Sequence, residues 1–362
     1  MRSKNFLKLF AFTVFAALFS PCLTFAQYTR TVLVSNQPGR APNTDQQHLV
    51  NAWGLVALPQ TPFWVSDNGT GFSTLYTGSG QQVHLFVTIP PAPGGTTGSP
   101  TGIVGNNSPG STDFSVTENG KSGKAIFIFA TLDGTISGWN PTVAGVDPIT
   151  GASHATIAPG GSSANAIYTG LAIGNNGGQA LLYAADGGPN RRIDVFDATF
   201  TLVQPSPNAF QDPNIPQDFT PYGIQNIDGD IWVTYTPLNK SQGGIVDRFS
   251  ADGTLKKHDA LHGPLHSPWG LAQAPADFGP LSNAILVSNN TSRGRINAFD
   301  PASGAFLGPL RDARGNPIEV DDIWAIQFGL DGARNGTHNQ LFFTAGTNQY
   351  GNGLFGVIAA GK

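Results

Sequence analysis

Asp67, Asn68, Asp186, Asn289 and Asn290 each stand where a short apolar run gives way to a polar turn. Carboxylate and amide oxygens gathered around one point are what Ca²⁺ takes, six to eight at a time. An ion held in this way could polarise an ester or lactone carbonyl, with His48 or His266 as general base. Asn51, Asp321 and Asp322 share the same setting. The pairs Asp67-Asn68 and Asn289-Asn290 stand out, because adjacent oxygens from opposite sides of a ring suit one axial ion. The same residue types also serve as plain turn formers that bond their own backbone, with no metal involved.

The elements that carry these residues repeat. Six Gly-centred or Gly-like segments recur at Trp53-Gly54-Leu55, Thr101-Gly102-Ile103, Thr169-Gly170-Leu171, Tyr222-Gly223-Ile224, Trp269-Gly270-Leu271 and Trp324-Ala325-Ile326. An apolar strand follows each one: Phe63 to Asn68, Ala125 to Ala130, Leu181 to Asp186, Asp230 to Tyr235, Ala284 to Asn290 and Leu341 to Gly346. Self-similarity at this spacing predicts an all-β, six-bladed β-propeller. Turns at Asp133-Gly134, Asp228-Gly229 and Asp252-Gly253 fit its hairpins. No segment beyond residue 26 sustains a helical period, so helices are expected to be few and short. Three Gly/Pro/Ser-rich stretches, Pro90 to Pro100, Pro141 to Ala164 and Gln204 to Gln217, are expected to be loops. Thr31 to Ser35 has no blade of its own and is expected to close the ring by pairing with Leu354 to Ala359, removing open sheet edges. In such a meander, the turn entering the inner strand and the turn leaving the second strand share one end. The polar strand ends, His48 and His266 are therefore expected around one mouth of the central channel.

Other patterns are weaker. His258, His262 and His266 are spaced by four, as zinc ligands on a helix would be, but Pro264 and Pro268 break any helix there, leaving a solvated loop as the plainer expectation. Gly351-Asn352-Gly353-Leu354-Phe355-Gly356 spells a dinucleotide fingerprint with no room for the helix that must follow it. No Gly-x-Ser-x-Gly elbow occurs, which counts against serine hydrolysis. Trp53, Trp269 and Trp324 could stack on a planar ligand at the channel mouth, although wedging into the core is the commoner use of such residues. Asn68-Gly69-Thr70 and Asn335-Gly336-Thr337 match glycan acceptor spacing by composition alone.

Composition bounds the function. Arg2, Lys4 and Lys8, the apolar run Leu9 to Phe19 and Thr24-Phe25-Ala26 together read as a signal peptide over residues 1–26, with a propeller domain over 27–362 and a secreted, extracytoplasmic product. Its removal takes the lone Cys22 and three positive charges from a net charge of −4. A thiol-free acidic chain excludes disulfides and cysteine metal sites and disfavours nucleic acid. No later run is long enough to span a membrane. Only 12 % of residues are charged, against 46 Gly and 27 Pro, which again suits an all-β chain.

The Pro-x-Gly-[Ile/Leu] segments, together with Arg192-Ile193-Asp194-Val195-Phe196-Asp197 and Arg295-Ile296-Asn297-Ala298-Phe299-Asp300, resemble NHL repeats. Leu49 to Leu55, Trp64 to Gly71 and Asp133 to Pro141 resemble a family of secreted bacterial NHL-like propellers of unknown function, over nearly the whole mature chain. Many members end in a Pro-Glu-Pro-type sorting anchor, which has no counterpart at Gly356 to Lys362, so the resemblance implies release rather than surface attachment. It implies no particular activity. More distant six-bladed relatives include Ca²⁺-dependent lactonases and esterases, an amidating lyase and non-enzymatic scaffolds. The expected function is a monomeric binding or interaction scaffold whose extracellular ligand, a polysaccharide, protein or small molecule, sits at the channel mouth. The alternative is a Ca²⁺-dependent hydrolase of lactonase or esterase type.

Overall fold

The computed structural model describes residues 27–163, 165–239, 243–259 and 264–361; the expected signal peptide, Cys22 and His262 lie outside them. Six antiparallel sheets are arranged around an axis as a six-bladed propeller. Their inner strands are Ala52–Val56, Pro100–Gly105, Tyr168–Asn176, Phe219–Ile227, Pro268–Gln273 and Ile323–Phe328, in blades one to six. Each inner strand packs against the next, and that of blade six returns to blade one.

Both faces of every blade are covered, so the second strands are mostly apolar runs rather than alternating ones. Phe63–Asp67, Phe127–Thr131 and Ile285–Asn289 are buried at every position. The core divides accordingly into six clusters, one at each interface between neighbouring blades. Between blades one and two, for example, Trp64 stacks on Phe127 with ring centroids 4.1 Å apart.

The ring closes as the sequence predicts. Tyr28–Ser35 pairs antiparallel with Leu354–Ala360, from Tyr28 opposite Ala360 to Ser35 opposite Leu354, and completes blade six. Asn335, fully buried, tightens the same seam by offering its Nδ2 to the carbonyls of Leu58, Pro59 and Thr61 of blade one, at 3.0–3.1 Å.

One expected loop is structured. Within 141–164, Pro141–Ala144 is a helical turn capped by Asn140, the single helix among the described residues. Ala152–His154 adds a parallel strand to the edge of blade one, and Thr156–Ser162 is the outermost strand of blade two. The Gly and Pro content suggested a loop, but the open edges of these two blades supply partners that local composition cannot reveal.

At the Gly position of blades one, two, four and five the inner strands come too close for a side chain. A Cβ on Gly54, Gly102 or Gly223 would strike the backbone of Thr101, Leu171 or Trp269 in the following blade. The register slips at this level in the inner strands, between Ala52 and Leu55, Tyr168 and Gly170, Pro221 and Ile224, Pro268 and Leu271, and Ile323 and Ile326. Such bulges leave an amide outside the ladder. In blades four to six a second-strand hydroxyl takes it: Thr234, Ser288 and Thr344 accept from the amides of Gly223, Gly270 and Ala325 at 2.8, 2.8 and 3.1 Å. Each hydroxyl then donates to the next blade, to the carbonyls of Pro268, Trp324 and Trp53, at 2.7, 2.6 and 2.6 Å. Blades two and three carry their hydroxyl on the inner strand, where it bonds carbonyls instead of the stranded amide. Thr101 donates to the Tyr168 carbonyl of blade three at 2.7 Å, and Thr169 bonds the Ala185 carbonyl at 3.2 Å.

Gly223→Ala is expected to lose about 1–3 kcal/mol, the usual cost of forcing extra volume into a close-packed site. Ala325→Gly, at the equivalent position of blade six, should lose under about 1 kcal/mol by chain entropy. Denaturant unfolding of both variants checks this; equal losses would show that the close approach does not dictate the residue.

Candidate functional site

The residues preceding the Gly positions decide which end of the channel is open. Trp53, Tyr222, Trp269 and Trp324 project from blades one, four, five and six. Trp53 and Trp324 stack 3.6 Å apart at 15°, and Trp269 meets them edge-on at 6.4 and 5.9 Å. Tyr222 and Tyr350 lie against Trp324 at 5.8 and 5.6 Å. The Trp269 Nε1–H crosses to the Thr169 carbonyl of blade three at 2.9 Å. The three tryptophans are buried, and they close the mouth where the sequence analysis expected a ligand.

Three of the expected ligand-bearing residues do meet here. Asn51 accepts from Trp324 Nε1 at 2.9 Å and donates to Asn68 Oδ1 at 3.0 Å. Asn68 donates onward to the Pro100 carbonyl at 3.1 Å. On the other side, Asn290 accepts from the Tyr350 hydroxyl at 2.9 Å and bonds the Ile323 carbonyl at 3.3 Å. These amides brace the aromatic plug. Asp322, at φ 48°, joins the same region through backbone bonds to Thr291 and Gly346, and Asp321 caps the amide of Asn348.

The other expected residues lie apart. Asp67 ends its strand facing away from the axis. It accepts from the Thr74 hydroxyl at 2.8 Å, its second oxygen has no hydrogen-bond partner, and it is fully buried. Burial, with help from the charge on Asp45, pushes its carboxyl well above the usual range. Asp186 caps a turn, accepting from the amides of Ile167 and Gly188, both at 2.9 Å, and from Asn190 at 2.8 Å. His48 sits on the flank of blade one, 3.1 Å from Asp45 and stacked on Phe86. Asp45 also accepts from Tyr76 and Gln82, and although burial pushes its carboxyl up, the bonds from His48 and Tyr76 hold it below the usual range. Asn289 and His266 line a separate cleft of about 570 Å³ on blade five, with Thr291, Arg293, Arg295 and Arg311. Consecutive residues such as Asp67 and Asn68 diverge because a strand points successive side chains to opposite faces.

Below the plug the channel remains hollow. A cavity of about 330 Å³ is lined by all six inner strands, from Gly54 and Gly270 down to Asn107, Asn226 and Gln327. Its side chains are mostly aliphatic, with Trp269 at the plug and amides towards the far end and no ionisable side chain, and backbone groups make much of the exposed wall polar. Asn107 and Gln225 are exposed at the rim of that end. The accessible end is therefore opposite the one expected.

A further constellation escaped the sequence analysis. The partners found for His258 are carboxylates. The residue stands directly opposite Asp247 in the sheet of blade four, and its Nδ1 lies 2.8 Å from Asp247 Oδ1 and 2.5 Å from Asp212 Oδ2. Asp212 comes from the Gln204 to Gln217 stretch, so only the fold brings it there.

No family model matches the chain. It is 29 % identical over 354 residues to uncharacterised protein L690 of Acanthamoeba polyphaga mimivirus, covering 94 % of this chain and 88 % of that protein. Uncharacterised protein R640 of the same virus is 29 % identical over 296 residues; the match takes in 78 % of this chain and 52 % of R640. Similar solved structures include a catalytically inactive virginiamycin B lyase from Staphylococcus aureus with quinupristin, at 12 % identity and TM-score 0.48, covering 85 % of this chain and 80 % of that one. The BBS1N propeller in complex with ARL6DN is 12 % identical at TM-score 0.44, with 86 % and 94 % covered.

The raised carboxyl of Asp67 sets a pH dependence. A group that holds its proton in the folded state stabilises below its unfolded pKa, about 4, and that contribution is lost as pH rises. The melting temperature of the wild type minus that of Asp67→Asn should therefore fall steadily from pH 4 to pH 8. A constant difference would mean that Asp67 ionises freely in the fold.

Proposed function

We propose that the protein is a secreted NHL-like propeller acting as a binding scaffold, taking a small uncharged ligand at the open end of its central channel. The observation that carries this reading is the cavity of about 330 Å³, closed by tryptophan at one end and ringed by Asn107, Gln225, Asn226 and Gln327 at the other. The volume falls in the usual range for a small-molecule site, and the polar backbone and amide groups on the wall offer hydrogen bonds to an occupant. With no ionisable group on the lining, a neutral molecule bearing hydroxyls or amides, such as a short neutral saccharide, fits better than a charged one. Secretion rests on the signal-like residues 1–26. Among the described residues no helix is long and apolar enough to cross a membrane.

Hydrolysis through an axial Ca²⁺ has less support. It needs carboxylates or several free oxygens on the axis, whereas Asp67 and Asp186 are engaged away from it and Asn68 and Asn290 brace the plug.

Calorimetry against a panel of neutral mono- and disaccharides should find a binder, and Asn107→Trp with Gln225→Trp at the exposed rim should weaken it at least tenfold while leaving the melting temperature unchanged. No binder in the panel, or binding indifferent to the rim, would sink the channel reading. Expression of the full chain in its host should place a protein beginning at Gln27 in the medium; retention inside the cell would sink secretion.

A further inference from the structure

We propose that Asp212, Asp247 and His258 form a site for one divalent first-row transition metal of the Zn²⁺ class, which clamps the 204–217 loop onto blade four. Two strands and one loop bring the three side chains together. Asp247 on Ile245–Phe249 and His258 on Leu255–Asp259 are cross-strand neighbours. Asp212 is held by its own turn, with Oδ1 accepting from the Asn214 amide and from Asn214 Nδ2, both at 2.8 Å. That turn leaves Oδ2 facing the imidazole. One ligand atom from each of the three residues lies within 4.8 Å of the others.

The unpartnered oxygens point to a cation. The side chains of Asp212 and Asp247 are wholly buried. An imidazole Nδ1 carries at most one hydrogen, and here two carboxylate oxygens, Asp247 Oδ1 and Asp212 Oδ2, face that one nitrogen. Asp212 Oδ2 and Asp247 Oδ2 are both buried without a hydrogen-bond partner. Two carboxylates beside a single imidazole cannot both ionise cheaply in the interior without a further cation. A divalent ion bound by two carboxylates and a neutral imidazole brings the sum to zero.

The donor set selects the ion. Ca²⁺ takes only oxygens and needs six or more, whereas one imidazole with two carboxylates suits Zn²⁺ or its first-row neighbours. Zinc bonds of about 2.0–2.2 Å in a tetrahedron separate ligand atoms by roughly 3.4 Å. Opening the present 2.5 and 2.8 Å contacts to that spacing takes less than about 1 Å, and the exposed side of His258 leaves room for water as a further ligand. Since the cluster lies on an outer strand of blade four and shares no residue with the channel lining, this site stands or falls independently of ligand binding there.

The test uses the mature protein, stripped with a chelator and titrated by calorimetry with Zn²⁺ and, separately, with Ca²⁺. The expected result is one Zn²⁺ per chain, a rise of several degrees in melting temperature at a hundredfold excess over Kd, and weak or no Ca²⁺ binding. His258→Gln and Asp212→Asn should each weaken Zn²⁺ at least tenfold while the metal-free variants keep the wild-type circular dichroism. Asp212 lies in a loop, so its variant remains informative if substitution at the strand position disturbs folding. Absence of Zn²⁺ binding to the wild type, or binding undiminished in both variants, overturns the proposal; the carboxylates would then share a proton instead.

Discussion

The closeness of the six inner strands governs the molecule. Where a Cβ on Gly54, Gly102 or Gly223 would collide with the next blade, the residue must be glycine, and the strand must bulge to pass. A bulge strands an amide, and a buried amide needs an acceptor. The hydroxyls of Thr234, Ser288 and Thr344 meet that need and reach across to the next blade in the same gesture. In blades four and five the close approach and the stitching fall at one level, and blade six keeps the stitch at Ala325.

The same closeness sets the shape of the channel. Where the hydroxyl sits on the second strand, the residue before the Gly position is free to be large, and it is Tyr or Trp in blades four to six. In blades two and three Thr101 and Thr169 hold that place, with Ala130 and Ala185 on the second strand. Blade one follows the first pattern with Trp53 and Ser66, although Ser66 has no hydrogen-bond partner. Four aromatics crowd in from one side of the ring, two threonines leave room on the other, and Trp269 bridges to Thr169. Six tryptophans around one axis would not fit, and six threonines would leave it open.

Fold and closure were legible because they rest on local pattern. Apolar second strands, turn dipeptides and the Gly segments each mark an element, and the unpartnered Thr31 to Ser35 had one place to go. The expectation that polar strand ends share one end of the ring was geometric as well, and Asn51, Asn68 and Asn290 do gather there. Side-chain direction was less legible. Asp67 and Asn68 are neighbours in sequence, but the pleat sends one into the seam with blade six and the other towards the plug. That the tryptophans would fill the mouth follows from ring sizes and approach angles, which spacing does not encode. Asp212 was the least legible, since its partners Asp247 and His258 belong to a sheet that the loop reaches only after the chain has folded.

The plug makes the two ends of the propeller unequal in what they can support. At the Gly end the aromatic, amide and backbone groups are bound to one another, so changing one of them disturbs several contacts in a close-packed region. At the far end Asn107 and Gln225 meet solvent. Residues at that rim can be exchanged without touching the stitching that holds the blades, which frees the rim to be shaped for recognition. Carboxylates are found elsewhere, at blade flanks and under the 204–217 loop, where turns and cross-strand neighbours can satisfy or share their charge. The lining of the channel carries no ionisable side chain.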